Sequence, residues 1–180
     1  MKLKNFNNEW FSVGKSKLTV LLWYVVNAIV FKSALFPIYG MKVFLLRLFG
    51  AKVGKGVFIK PCVNIKYPWK LSIGEDVWIG EEVWIDNLAT VAIGNNVCIS
   101  QGALLLTGNH NYKKETFDLI IGEIKLKEGV WIGAKSTVCP GVICEDNSIL
   151  SVGSVATKNL EADFIYQGVP AEKKKVRESE

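Results

Sequence analysis

Among its 180 residues the chain has one histidine, five prolines, two methionines and four cysteines. A single imidazole excludes a three-histidine zinc centre within one chain. So few prolines, set against sixteen glycines, exclude collagen-like and Pro-rich architectures. Cys62, Cys98, Cys139 and Cys144 form no C-x-x-C pair and lack zinc-knuckle spacing. They read as reduced, small apolar residues, and no metal site is expected. Acids are nearly missing from residues 1–52, where Glu9 stands against eight Lys or Arg, a net +7. The other 128 residues carry fourteen bases and sixteen acids, a net −2. Basic character confined to one apolar segment points to an anionic membrane surface, and no nucleic-acid partner is expected.

A long hydrophobic run is missing too. Leu18 to Phe31 is nearly all apolar but has only fourteen residues. As a helix it would span about 21 Å, against roughly 30 Å of hydrocarbon. It has no small-x-small cleavage site nearby, so a signal peptide is not expected. The expected location is the cytoplasm, with the cytoplasmic face of the inner membrane as the place of any lipid contact. A second apolar stretch, Met41 to Phe49, follows Pro37 and Gly40, which should separate two helices. Two readings of residues 1–52 stay open. They are a helical cap on the body or a neighbouring subunit, or a peripheral membrane contact with Lys15, Lys17, Lys32, Lys42 and Arg47 at the headgroups.

What the chain does have is a repeat. Hexads start at Val53, Ile59, Ile65, Ile73, Ile79, Ile85, Ile93, Ile99, Leu105, Leu126, Ile132, Val138, Cys144, Leu150 and Ala156. Thirteen of these fifteen are Ile, Leu or Val, where the overall content of 53 in 180 would give four or five. Fifth positions such as Val77, Val83, Val97 and Ala103 are small or β-branched. A period of six suits neither a helix nor an uninterrupted strand. It suits a short strand and a sharp corner, three of which close a triangular coil with the lead aliphatic inside. Gly54, Gly74, Gly80, Gly94 and Gly133 follow lead residues and are expected to permit the corner backbone. The count gives five coils, within a β-solenoid domain over residues 53–162 and a C-terminal tail over 163–180.

The repeat breaks once, and residues 111–125 are expected to leave the solenoid as a loop. Loops of that length in a compact repeat are usually functional. His110, the only histidine, stands at its base. Imidazole ordinarily titrates near neutral pH, a rigid coil would hold it, and the loop could exclude water above it.

Residues 53–170 resemble the hexapeptide-repeat acyltransferases of the left-handed parallel β-helix class. The resemblance rests on the stretch Leu126 to Val142, on Ser154-Val-Ala-Thr-Lys158 and on Gly168-Val-Pro-Ala171. Trp84-Ile-Asp-Asn-Leu88, Cys98-Ile-Ser-Gln-Gly102, Thr107-Gly-Asn-His-Asn-Tyr112 and the apolar N-terminal segment resemble, within that family, the colanic acid biosynthesis acetyltransferases. The resemblance implies the left hand of the coil and a homotrimer with active sites between subunits. It implies acetyl-CoA as acyl donor, no metal, and a saccharide acceptor, lipid-linked or free, in exopolysaccharide or other surface-glycan synthesis. His110 then falls on the general base. Gly133 and Ala134 fall beside the thioester, Ala134 where relatives often carry a serine. Val152 falls on a backbone contact to the pantetheine arm, and Thr157 and Lys158 on a pair near the coenzyme. Glu172 stands where relatives place an arginine, so Lys175, in the run Lys173 to Lys175, becomes the candidate phosphate contact. Asp86, Asn87 and Asn109 are the candidates to face the acceptor. Trp78, Trp84 and Trp131 read as packing on the outer face or between subunits, with Trp131 also able to border the coenzyme.

Three alternatives accompany this reading. The acceptor could be an amino-sugar nitrogen, or the trimer a non-catalytic scaffold that binds no CoA. A sugar nucleotidyltransferase would need a nucleotide-binding domain, for which residues 1–52 leave no room.

Overall fold

In the computed structural model, which describes residues 2–178, each hexad becomes a strand of two or three residues and a corner. Successive strands fall on three faces, and each face is a parallel sheet. The first face stacks Lys52–Val53, Leu71–Ile73, Val91–Ile93, Ile124–Leu126 and Ile143–Cys144. The second stacks Phe58–Ile59, Trp78–Ile79, Cys98–Ile99, Trp131–Ile132, Ile149–Leu150 and Phe164–Gln167. The third stacks Asn64–Ile65, Trp84–Asp86, Leu104–Leu106, Thr137–Val138 and Val155–Ala156. Register follows the hexads: Ile59, Ile79, Ile99, Ile132, Leu150 and Tyr166 are successive partners up the second face. Fourteen of the fifteen lead residues are buried, and only Val53, at the open end, is half covered.

The solenoid runs beyond the five coils that the hexads count. Leu160 bridges Cys144, Phe164–Gln167 adds a sixth parallel strand, and Glu172–Val176 returns antiparallel along it. The spacing from Ala156 to Leu160 is not six, so this partial turn escapes the repeat. Residues past 162 therefore extend the second-face sheet.

The repeat glycines have a different job from the one expected. None of Gly54, Gly74, Gly80, Gly94 and Gly133 has positive φ. A Cβ on any of them would lie 2.4–2.9 Å from the next coil, so they allow coils to approach. The left-handed corner positions are Gly56, Asp76, Asn96, Gly129, Asn147 and Asp163 at one corner. Asx side chains tolerate that conformation.

Both apolar stretches are helical. Helix α1 (Lys17–Val26) starts at Ser16, whose Oγ accepts from the Thr19 N–H, and a π-helical turn continues it over Asn27–Phe31. Helix α2 is Tyr39–Leu48. One stripe of each helix, Trp23, Asn27 and Phe31 with Lys42 and Leu46, covers the open end of the first coil. Trp23 Nε1 donates to the Ile65 carbonyl at 2.9 Å and Asn27 Nδ2 to Asn64 Oδ1 at 2.8 Å. Lys42 is wholly buried and donates to the Lys60 carbonyl at 2.8 Å, so it is not among the headgroup cations. Desolvation holds its pKa below the ordinary lysine value.

Candidate active site

The ejected segment is a hairpin. Gly108–His110 pairs antiparallel with Leu119–Ile121, and Ile124 is already back in the core. The hairpin leaves the solenoid at the corner between the third and first faces. Thr107 fixes its base: the buried hydroxyl donates to the Asp86 carbonyl at 2.8 Å and accepts from the Ala89 N–H at 3.0 Å.

His110 is held on three sides. Its Nδ1 lies 2.9 Å from the Phe117 carbonyl oxygen. A carbonyl can only accept, so Nδ1 carries the hydrogen and the neutral ring keeps its lone pair on Nε2. The Phe117 ring stacks on the imidazole at 4.3 Å with 2° between planes, and Phe6 meets it edge-on at 5.6 Å. Phe117 does this from φ +51°, a strained conformation for a bulky residue. Phe6 arrives because the N-terminal stretch is tied to the hairpin tip. There the Lys2 N–H donates to the Glu115 carbonyl at 2.9 Å, and Lys2 Nζ pairs with the Glu115 carboxylate at 3.2 Å.

The expected acceptor residues separate. Asp86 is 8% exposed at the end of its third-face strand. Lys66 Nζ lies 2.8 Å from its buried Oδ1 as an ion pair. Lys66 occupies that oxygen, and only the other carboxylate oxygen of Asp86 is left to accept. Asn87 is fully buried, and both ends of its amide bind the backbone of Tyr67, Oδ1 accepting at 2.9 Å and Nδ2 donating at 2.6 Å. It clamps one corner to the next instead of facing a ligand. Asn109 is exposed, but its Oδ1 accepts from the His110 N–H at 2.8 Å and so shapes the strand.

The expected coenzyme residues fall into two groups. Gly133, Ala134 and Val152 line one groove of about 470 Å³ at the corner between the second and third faces. Ser100, Gln101, Trp131 and Ile165 are among its other walls. Trp131 is fixed there by a 2.9 Å bond from its Nε1 to Ser100 Oγ. Lys175 pairs in register with Ile165 and so stands beside the groove, exposed. Thr157 and Lys158 are exposed at the other corner, between the third and first faces, above the hairpin. Gly133 N–H is consumed by the Leu150 carbonyl at 2.7 Å. The Ala134 N–H, by contrast, meets no acceptor among the described residues.

All four cysteines are free. Burial, with Glu145 adjoining, pushes the Cys144 thiol up to about 12, and burial also raises Cys98 and Cys139. These are the opposite of activated nucleophiles. Phe117, Phe6 and Thr107 are the contributors that the sequence did not reveal. An aromatic in a left-handed turn has no sequence signature, and Phe6 reaches His110 across more than a hundred residues.

No family model matches the chain. It is 37% identical over 158 residues, 88% of this chain and 87% of the relative, to the colanic acid biosynthesis acetyltransferase WcaF of Escherichia coli. It is 31% identical over 123 residues to the galactoside O-acetyltransferase of Escherichia coli, 67% of this chain and 61% of that one. Its fold matches the crystal structure of a hexapeptide-repeat acetyltransferase of Vibrio cholerae complexed with acetyl coenzyme A. That TM-score is 0.82 over 98% of this chain and 96% of the other, at 18% identity.

Proposed function

The chain belongs to the hexapeptide-repeat acetyltransferase family, and we propose that it moves the acetyl group of acetyl-CoA to a saccharide hydroxyl, His110 acting as general base. The relative named for colanic acid biosynthesis supports an exopolysaccharide or other surface glycan as the acceptor's destination. The observation that carries the reading is the fixed tautomer of His110, with Nδ1 on the Phe117 carbonyl and Nε2 left to accept a proton.

The groove fits the coenzyme's reactive end. It is apolar and open to solvent. Acetyl-CoA supplies an activated acyl carbonyl there. His110 Nε2 takes the proton of the attacking hydroxyl. The Ala134 N–H faces the oxygen on which negative charge develops, and His110 returns its proton to the departing sulfur. Lys175 stands where it can meet a phosphate, and Lys158 does so from the other corner. Asp86 would meet a second sugar hydroxyl through the carboxylate oxygen that Lys66 does not hold.

The same geometry supports a homotrimer with active sites between subunits. His110 and the Ala134 groove lie at different corners of one triangular coil, a whole face apart, roughly 15–20 Å for five to six extended residues. A second copy presenting its groove to this hairpin would bring the two halves together.

The experiment is steady-state acetyl transfer from acetyl-CoA to a saccharide panel. His110→Ala is expected to lower kcat by about 10²–10⁴ with CoA binding retained. Near wild-type turnover without His110 overturns its role as the base.

A further inference from the structure

The helices that close the first coil carry a second apolar stripe opposite the buried one. On α1 and its π turn it is Leu18, Leu21, Leu22, Val25 and Ile29, each 45–66% exposed. On α2 it is Phe44 and Leu48, 63% and 66% exposed. Along a helix these positions lie about 200° from the buried Trp23–Asn27–Phe31 and Lys42–Leu46 stripes. Because both buried stripes face the coil, both exposed stripes face away from it, along the solenoid axis. The connector adds Leu35 and Ile38, 87% and 58% exposed. A surface helix normally turns polar residues outward, and one that is apolar all round is covered.

Charge decides what covers it. Between Glu9 and Glu75 the chain has ten Lys or Arg and no acid. Lys15 and Lys17 stand exposed at one end of the α1 stripe and Lys32 at the other. A self-complementary contact between two copies of this end would oppose like charges with no acid to relieve them. An anionic bilayer supplies both an apolar layer and the opposite charge. Among the described residues no helix is long and apolar enough to cross a membrane, so the contact lies in the interface plane.

We propose that this basic, apolar end of the solenoid docks on an anionic lipid membrane, with the Leu18–Ile29 and Phe44–Leu48 stripes in the acyl boundary and Lys15, Lys17 and Lys32 at the headgroups. His110 stands in the third coil. Two coil spacings of about 4.8 Å and a helix layer of about 10 Å put it roughly 20 Å above the lipid. On the acetyl-transfer reading, that height suits a saccharide anchored in the same membrane.

The test is flotation of the full chain with phosphatidylcholine vesicles, with and without roughly a quarter phosphatidylglycerol. Binding is expected only with the anionic lipid and is expected to weaken as salt rises. The triple variant Lys15→Glu, Lys17→Glu, Lys32→Glu is expected to bind anionic vesicles about 100-fold less tightly. Leu22→Ser with Phe44→Ser is expected to lose binding while sedimentation shows an unchanged oligomeric state. Absence of binding to anionic vesicles by the folded chain overturns the proposal. So does a Ser variant that changes oligomeric state and leaves vesicle binding intact, since a second copy would then be the occupant. Vesicle binding is read without turnover, so its failure is distinct from failure of the acetyl-transfer reading.

Discussion

Phe117 makes two contacts with one imidazole, and they can be separated. Its carbonyl sets the tautomer and its ring sets the plane. Phe117→Gly relieves the positive φ, keeps the carbonyl and removes the ring. An aromatic stack is worth about 0.5–1.5 kcal/mol, so kcat is expected to fall roughly two- to ten-fold. The acetyl-CoA KM should hold, as steady-state kinetics would show. A KM that rises instead would mean that the hairpin, not the base, depends on the ring. Lys42 makes a different residue-level case. Its folded pKa lies below the ordinary 10.5 because burial penalises the cation. The unfolded chain then binds the extra proton between the folded value and 10.5, and this group's contribution to stability rises with pH across that window. Lys42→Met is expected to abolish that rise, measured as urea stability of variant against wild type toward alkaline pH.

At the scale of the coil, three substitutions separate filling the core, spacing the turns and fixing the corner backbone. Ile79 is fully buried between Ile59 and Ile99, so Ile79→Ala is expected to cost about 2–5 kcal/mol in urea unfolding. Gly80 has ordinary φ, but a Cβ there would meet Gln101 N at 2.8 Å. Gly80→Ala is expected to cost about 1–3 kcal/mol, the price of overpacking. Gly153 has φ +66° and nothing within 4 Å of a Cβ, so Gly153→Ala should lose only the backbone term of about 1–2 kcal/mol. The hexads located Ile79 and its column correctly because an aliphatic every sixth residue has one way to be buried. They assigned the glycines the wrong role because a sequence does not state the distance between successive turns.

For the whole molecule, the separation of His110 from the Ala134 groove makes the oligomer testable through activity. His110→Ala chains keep a groove, and Ala134→Trp chains, with the groove filled, keep a base. If the working site lies between copies, co-assembled chains pair an intact base with an intact groove at about one site in four. Acetyl transfer is therefore expected to return toward a quarter of wild type on mixing two inactive variants. Zero recovery in verified mixed oligomers would place the whole site within one chain.

The sequence by itself determined the solenoid, its inward residues, the point of interruption and the one side chain suited to a proton transfer near neutral pH. Those follow from local pattern: a period of six dictates strand and corner, and a lone histidine at a break needs no partner to be noticed. Only the tertiary structure decided what surrounds it. It turned Asn87 and Asn109 to the backbone and left Asp86 one accepting oxygen. It buried Lys42 and brought Phe6 and Phe117 onto His110. It also divided the coenzyme residues between two corners. Each of these depends on which coil lies above which and where a side chain turns, and a linear pattern of polarity carries neither.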